Sequence, residues 1–197
     1  IDRNLCRNKE NIIVCDKCIK ACERKTIDFD MKPETLDLNV GTIIVATGAD
    51  VYNPATLINY GYTKYPNVIT SLEFERLINA GGPSAGHLIR PSDVQIPESV
   101  AFVQCVGSRS ENGNLYCSNV CCMNTIKDAL LIKEHWPETK IYVFYVDIRA
   151  FGKGFEDLYK RARKEGIIFI RGLPAEISED RKPHNLWLVG ENRLQQQ

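Results

Sequence analysis

Eight cysteines in two tight groups constrain this chain more than any other feature of it. Cys6, Cys15, Cys18 and Cys22 open the sequence; Cys105, Cys117, Cys121 and Cys122 follow after 82 cysteine-free residues. A secreted disulfide scaffold also carries an even number of cysteines. Here, however, Cys121 and Cys122 are adjacent, Cys117 stands beside them, and the polar start from Ile1 to Lys9 lacks the apolar core of a signal peptide. That pattern fits metal ligation in a reducing compartment better than disulfide bonding, and the cytoplasm is the expected location.

The rest of the composition sets limits. With 197 residues, 44% of them apolar and 25% charged, the chain can bury a core and form one domain plus a smaller appendage. Lys+Arg and Asp+Glu number 25 each, which leaves no net field to gather nucleic acid or an anionic membrane surface. No apolar run reaches the roughly 20 residues that span a bilayer, so a soluble chain is expected. It begins without Met, inside a motif, and ends on Gln195-Gln196-Gln197, and so reads as a fragment of something longer.

Residues 1–36 form the cysteine-bearing appendage, in which Thr26 to Asp30 alternates like an edge strand. Residues 37–197 are expected to fold as an α/β domain. Its run Gly41 to Gly48, β-branched and bounded by glycines, predicts a buried strand. A turn-rich stretch from Pro54 to Pro97 holds one helix, Ser71 to Ala80, for which Thr70-x-x-Glu73 is a capping box. Strands at Val100–Gln104, Ile141–Asp147, Ile167–Ile170 and Leu186–Val189 then alternate with helices at Ser118–His135 and Gly154–Lys164. Alternation at that spacing predicts parallel βαβ units with a ligand site outside the carboxyl ends of the strands.

In the first group, Cys15-x-x-Cys18-x-x-x-Cys22 carries two of the three spacings of the bacterial ferredoxin run. The usual first cysteine falls on Ile12, so Cys6 has to reach across eight residues, and Glu23 stands where proline is common. Three readings fit: a 4Fe–4S cluster on Cys6, Cys15, Cys18 and Cys22; a zinc ribbon; or free cysteines. Zinc favours paired C-x2-C knuckles, and one such pair exists here. Cys22 can also serve a cluster whose other ligands lie upstream, because fourth cysteines cross over in two-cluster ferredoxins.

The second group is C-x11-C-x3-C-C, set where a strand ends and a helix begins. A dinucleotide-binding turn there would read G-x-G-x-x-G; this one is Cys105-Val106-Gly107-Ser108-Arg109-Ser110, with a single glycine. Amides at the helix start can donate to the sulfurs of an anionic cluster instead of to a phosphate. A 4Fe–4S cluster is expected where a nicotinamide dinucleotide would otherwise sit, and no such nucleotide is expected at this site. The plain alternative makes Cys121 and Cys122 two small buried apolar residues.

At these residues the chain resembles the HdrA family of heterodisulfide reductases, the flavin-containing iron–sulfur subunits of methanogens and related anaerobic complexes. The stretches that carry the resemblance include Cys22-x5-Asp28-Phe29-Asp30, Val40 to Gly48, Tyr65 to Thr70, Ile89 to Asp93, Gln104 to Arg109, Tyr116 to Met123 and Asp147 to Gly154. The resemblance implies a thioredoxin-reductase-like flavoprotein domain with a ferredoxin-like insertion, FAD, and electron transfer to partner subunits, in some complexes by flavin-based bifurcation. It implies two clusters, on Cys6, Cys15, Cys18 and Cys22 and on Cys105, Cys117, Cys121 and Cys122. It places Lys127 near the flavin ring, Glu75 as its acidic neighbour, and Ala46-Thr47-Gly48 at a strand end that touches FAD. A cation near the flavin would stabilise its reduced, anionic form. By their own chemistry Lys127 and Glu75 read equally as exposed helix residues, and Ala46-Thr47-Gly48 as a tight turn. The G-x-G-x-x-G that would hold the FAD pyrophosphate does not occur in these 197 residues, so a missing segment or another chain has to supply it.

Asp147 reads as a capping or loop carboxylate, His87, His135 and His184 as surface residues, and Arg109 and Arg149 as solvated arginines. No Ser/His/Asp or paired-carboxylate constellation supports hydrolysis. The expected function is an oxidoreductase subunit that relays electrons between FAD and other subunits of its complex, with a homodimer inside that complex as a further expectation. The competing classes are a binding module with two structural zinc sites and a thiol–disulfide enzyme using Cys121 or the C-x-x-C.

Overall fold

The computed structural model describes residues 6–8, 15–29 and 31–190. Ile12, Asp30 and Gln195 to Gln197, which enter the sequence expectations, lie outside the described residues. The chain divides into two units, Ile1–Ala49 and Asp50–Gln197.

In the first unit the regular structure among the described residues is one short helix, α1 (Lys17–Ala21), whose single turn carries Cys18. Five residues make too few intrahelical bonds for a helix to hold by propensity, so neighbouring turns define this segment. Cys22 caps α1 with its N–H on the Ile19 carbonyl, and the next turn closes with Lys25 N–H on Cys22 O at 3.0 Å, with Lys25 at φ 52°.

Two strand expectations fail here. Residues 26–29 form no strand, and neither does Gly41 to Gly48. Ile43, Ile44 and Val45 are 79%, 87% and 78% exposed, the reverse of the burial expected of them. β-branched residues suit a pleated, half-buried surface, but a partner strand has to supply that surface, and among the described residues of this unit there is none.

The second unit is built on a three-stranded parallel sheet in the order β1-β2-β3. β1 (Ser99–Val103) pairs with β2 (Lys140–Tyr145), Val100 opposite Ile141, and β2 pairs with β3 (Ile168–Arg171), Val143 opposite Phe169. Two crossover helices join them, α3 (Cys121–His135) and α4 (Phe155–Lys164). Ile126, Ala129 and Ile132 of α3 and Ile141 and Val143 of β2 have no exposed surface. Each large apolar side chain removed from water in this way contributes roughly 1.5–3 kcal/mol.

Helix α2 (Ser71–Leu77) starts with the expected capping box: Thr70 Oγ1 accepts from Glu73 N–H and the Glu73 carboxylate accepts from Thr70 N–H at 2.7 Å. It ends three residues before the expected Ala80. Phe74 on its buried face meets Phe102 of β1 edge to face at 5.7 Å, which fixes α2 against the sheet.

After β3 the chain turns into an antiparallel hairpin, β4 (Pro174–Glu179) and β5 (Leu186–Gly190). Of these two strands the sequence predicts β5 alone. Asn67 and Arg90 hold the hairpin turn, donating to the carbonyls of His184 at 2.9 Å and Pro183 at 2.8 Å. Among the described residues no helix is long and apolar enough to cross a membrane.

Candidate functional site

The chain leaves β1 through Gln104, whose N–H still bonds Phe144 O of β2 and whose buried amide donates to Thr125 Oγ1 of α3 at 2.6 Å. It then turns sharply. Cys105 has φ 57°, Gly107 φ 70° and Arg109 φ 58°. At Gly107 a side chain is doubly excluded, by that φ and by the Tyr52 ring, which stands 2.4 Å from where a Cβ would be.

The loop from Cys105 to Cys117 is bound to itself. Asn114 N–H donates to Gly107 O at 2.9 Å, Ser110 N–H to Asn114 O at 3.3 Å, and Arg109 N–H to Tyr116 O at 3.3 Å. Its two cysteines are thereby returned toward the start of α3. There Asn119 N–H points at Cys117 Sγ and Ser118 Oγ at Cys121 Sγ, each at 3.4 Å. Val120 offers no side-chain cap to the helix, and the amides of Cys121 and Cys122 act on the Cys121 sulfur instead.

Neighbouring sulfurs act on the thiols of Cys105, Cys121 and Cys122. Burial pushes the Cys105 thiol up, as do Cys121 and Cys117 nearby, against the pull of the Arg109 guanidinium. The Cys121 thiol is held down, first by the neighbouring Cys122 thiol and then by Ser118 and the helix-start amides. The Cys122 thiol is pushed up by the neighbouring Cys121 and by burial. The thiolate is the state that ligates metals, and the surroundings of Cys121 favour it. Four sulfurs, helix-start amides and an arginine fit an anionic cluster. Among the described residues no three Cys, His, Asp or Glu side chains already stand as a metal cage.

Arg109 ion-pairs with Asp147, which also faces Arg149 at 3.7 Å, and the carbonyl of Asp147 lies 3.8 Å from Cys122 Sγ. Asp147 sits two residues beyond β2 and is the joint of this charged loop, not a helix cap.

Nearly two turns into α3, Lys127 Nζ lies 2.7 Å from Glu75 Oε1 of α2. The structure thus brings together the two residues that the resemblance pairs. It adds a third, Asp128, whose Oδ1 is 3.1 Å from the same ammonium and whose side chain is 0% exposed. Lys127 keeps Glu75 ionised well below the usual carboxylate range. Sequence reasoning missed Asp128; a charged residue at a position flanked by Ile126 and Ala129 in an otherwise apolar helix face was the available signal.

In the first group Cys18 is exposed and Cys6, Cys15 and Cys22 are partly exposed. The long Cys6-to-Cys15 spacing is closed by Asn8, a residue that no spacing rule singles out. Its side chain donates to Cys15 O at 2.8 Å and accepts from Cys15 N–H at 2.9 Å. Cys22 Sγ lies 3.6 Å from Thr26 Oγ1, and the Thr26 amide and hydroxyl lower its thiol below the usual value. Ala46, Thr47 and Gly48 are exposed and irregular, with Gly48 at φ 78°. His87 and His135 are exposed, and His184 Nδ1 lies 3.4 Å from Glu179.

No family model matches the chain. Among curated proteins it is 54% identical over 175 residues to the A-type subunit of the H2:CoB–CoM heterodisulfide, ferredoxin reductase of Methanothermobacter thermautotrophicus, an alignment spanning 88% of this chain and 27% of that protein. It is 50% identical over 187 residues to the A-type iron–sulfur subunit of the CoB–CoM heterodisulfide reductase of Methanocaldococcus jannaschii, covering 94% of this chain and 28% of the relative. To the A-type subunit of the ferredoxin/F420H2-dependent CoB–CoM heterodisulfide reductase of Methanosarcina acetivorans it is 42% identical over 177 residues, covering 88% and 22%. The chain spans about a quarter of the length of the curated relatives it matches.

Proposed function

We propose, from the premise that this chain belongs to the HdrA family of heterodisulfide reductase subunits, that it is an iron–sulfur portion of an oxidoreductase subunit and carries electrons between a flavin and neighbouring subunits. Cys105, Cys117, Cys121 and Cys122 would hold one 4Fe–4S cluster, and Cys6, Cys15, Cys18 and Cys22 a second, in a ferredoxin-like segment over residues 1–36. Residues 37–197 would belong to the flavoprotein-like domain. When bound, the clusters supply one-electron capacity and FAD couples one- and two-electron steps.

The observation that carries this reading is the second cysteine group: four cysteines borne by the end of β1, a loop closed on itself by backbone hydrogen bonds and the first turn of α3. The residues around it do work suited to a negative centre. Amides at the start of α3 and the Asn119 N–H give hydrogen bonds to sulfur, and Arg109 offsets charge beside Cys105. Donors of this kind stabilise added negative charge and raise the reduction potential.

Lys127, held by Glu75, would present its ammonium to the flavin ring, and Ala46, Thr47 and Gly48 would touch FAD once the rest of its site is supplied. The partners are other subunits of a heterodisulfide-reductase-like complex, with a homodimer inside it, in the cytoplasm; electron bifurcation belongs to that whole assembly. Two structural zinc sites are not favoured, because the names of the relatives are those of reductases and iron–sulfur subunits.

Anaerobic purification followed by iron, sulfide and zinc analysis with electron paramagnetic resonance tests the reading. Iron and sulfide in equal amounts, with a reducible cluster signal lost in the Cys121→Ser variant, support it. A colourless protein loaded with zinc refutes it.

A further inference from the structure

Asp128 is a carboxylate in a place that ordinarily holds an apolar side chain. Ile126, Ala129 and Ile132 around it on α3 are as fully buried as it is. Its Oδ2 receives one long hydrogen bond, from Asn124 Nδ2 at 3.4 Å. Its Oδ1 lies 3.1 Å from Lys127 Nζ and, among the described residues, has that ion pair but no well-formed hydrogen bond. An ionised carboxylate so poorly solvated costs several kcal/mol unless its charge is used, and an apolar residue would avoid that cost.

The ammonium of Lys127 is shared. Glu75 approaches it from α2, 34% exposed, and Asp128 from the core side, 0% exposed. Lys127 on its own helix and Glu75 on the packed helix α2 are the charged groups that act on Asp128. With both carboxylates ionised the trio carries one net negative charge; with Asp128 protonated it carries none.

We propose that Asp128 is the positioning and proton-holding partner of Lys127: it fixes the ammonium from the core side and takes up one proton from solvent when negative charge arrives beside Lys127. No bond changes other than the O–H formed on Asp128, and the trio goes from one net negative charge to zero. The physical basis is competition. Negative charge placed next to the ammonium draws it outward, which weakens its hold on Asp128 and favours the neutral acid in a buried site. Burial already pushes Asp128 up to about 6, with Lys127 pulling the other way, so the group is poised for this exchange near neutral pH. The link to electron transfer rests on the reading that Lys127 faces the flavin.

Isotope-edited infrared spectroscopy of aspartate-labelled, anaerobically purified chain tests the proposal without reference to turnover. One buried carboxyl band is expected to titrate near pH 6, to vanish in Asp128→Asn, and to move about one pH unit or more upward in Lys127→Met, since the cation that favours ionisation is gone. Lys127 is half exposed, so its replacement leaves the core intact. A band that titrates with the ordinary carboxylates, or one that Lys127→Met does not move, overturns the proposal.

In the flavin-loaded complex, Asp128→Asn is expected to flatten the pH dependence of the flavin potential. Infrared changes as expected, with a flavin potential that neither variant alters, would retain the Asp128–Lys127 exchange and remove the flavin-facing reading of Lys127.

Discussion

The two cysteine groups sit on different kinds of scaffold. Cys105, Cys117, Cys121 and Cys122 are placed by a sheet strand, a closed loop and the first turn of a helix whose inner face is fully buried. Around Cys6, Cys15, Cys18 and Cys22 the described residues offer a five-residue helix, an Asn8 clamp and a Thr26 hydrogen bond, and no buried apolar side chain. The second group therefore inherits its geometry from the fold, whereas a cluster on the first, as proposed, would add order of its own to that segment. A metal that binds only the folded form adds its binding free energy to folding.

The comparison breaks most readily on metal removal. Limited proteolysis of chelator-treated protein is expected to cut within residues 1–49 on the order of a hundredfold faster than in the loaded protein, while Asp50 onward survives as a fragment. Equal cleavage of both units would mean that the second group, too, depends on its metal.

A core substitution probes the opposite dependence. Ile126→Ala on the buried face of α3 is expected to destabilise the second unit by about 3 kcal/mol in urea unfolding and to loosen any cluster held on the second cysteine group as proposed, leaving the first group unaffected.

Asp128 sharpens the contrast through pH. Its carboxyl sits near 6 in the folded chain against 3.8 unfolded, so the folded state holds that proton more tightly. Its contribution is most favourable below the unfolded value, declines as pH rises from about 4 to 6, and above that leaves a deficit of at most about 3 kcal/mol. Asp128→Asn is expected to flatten that decline in unfolding measured across the same range; a slope that survives would place its origin elsewhere.

The smallest effect is at α2. Thr70→Ala removes the capping box and is expected to cost about 1 kcal/mol, read in thermal unfolding, and to loosen Glu75 from Lys127.

How much of this the sequence disclosed depended on how local the cause was. The β1-α3-β2-α4-β3 order was legible because strand and helix periods differ and each element packs on its neighbour in sequence. The Thr70–Glu73 box was legible because both partners lie within one turn. Thr42 to Val45 misleads because β-branching states a preference that a pairing partner has to satisfy. β4 stays hidden because Pro174, Glu176 and Glu179 mask a strand whose register is set by its pairing with β5, Ser178 opposite Trp187. In the candidate site, cysteine spacing pointed to both groups, but neither Asn8 nor Asp128 belongs to any spacing rule. Each is recognisable from what it touches.

The loop between Cys105 and Cys117 has a consequence for the speed of electron movement. Gly113 lies so close to Gly107 that a Cβ on it would stand 2.7 Å from the Gly107 carbonyl oxygen, and three backbone hydrogen bonds cross the same gap. If Cys105 and Cys117 hold a cluster as proposed, ligands anchored on so tightly closed a strap would have little room to shift when its charge changes by one electron, and little nuclear rearrangement would accompany each hop. Transfer through such a proposed centre would be governed by distance and driving force more than by the motion of its own ligands.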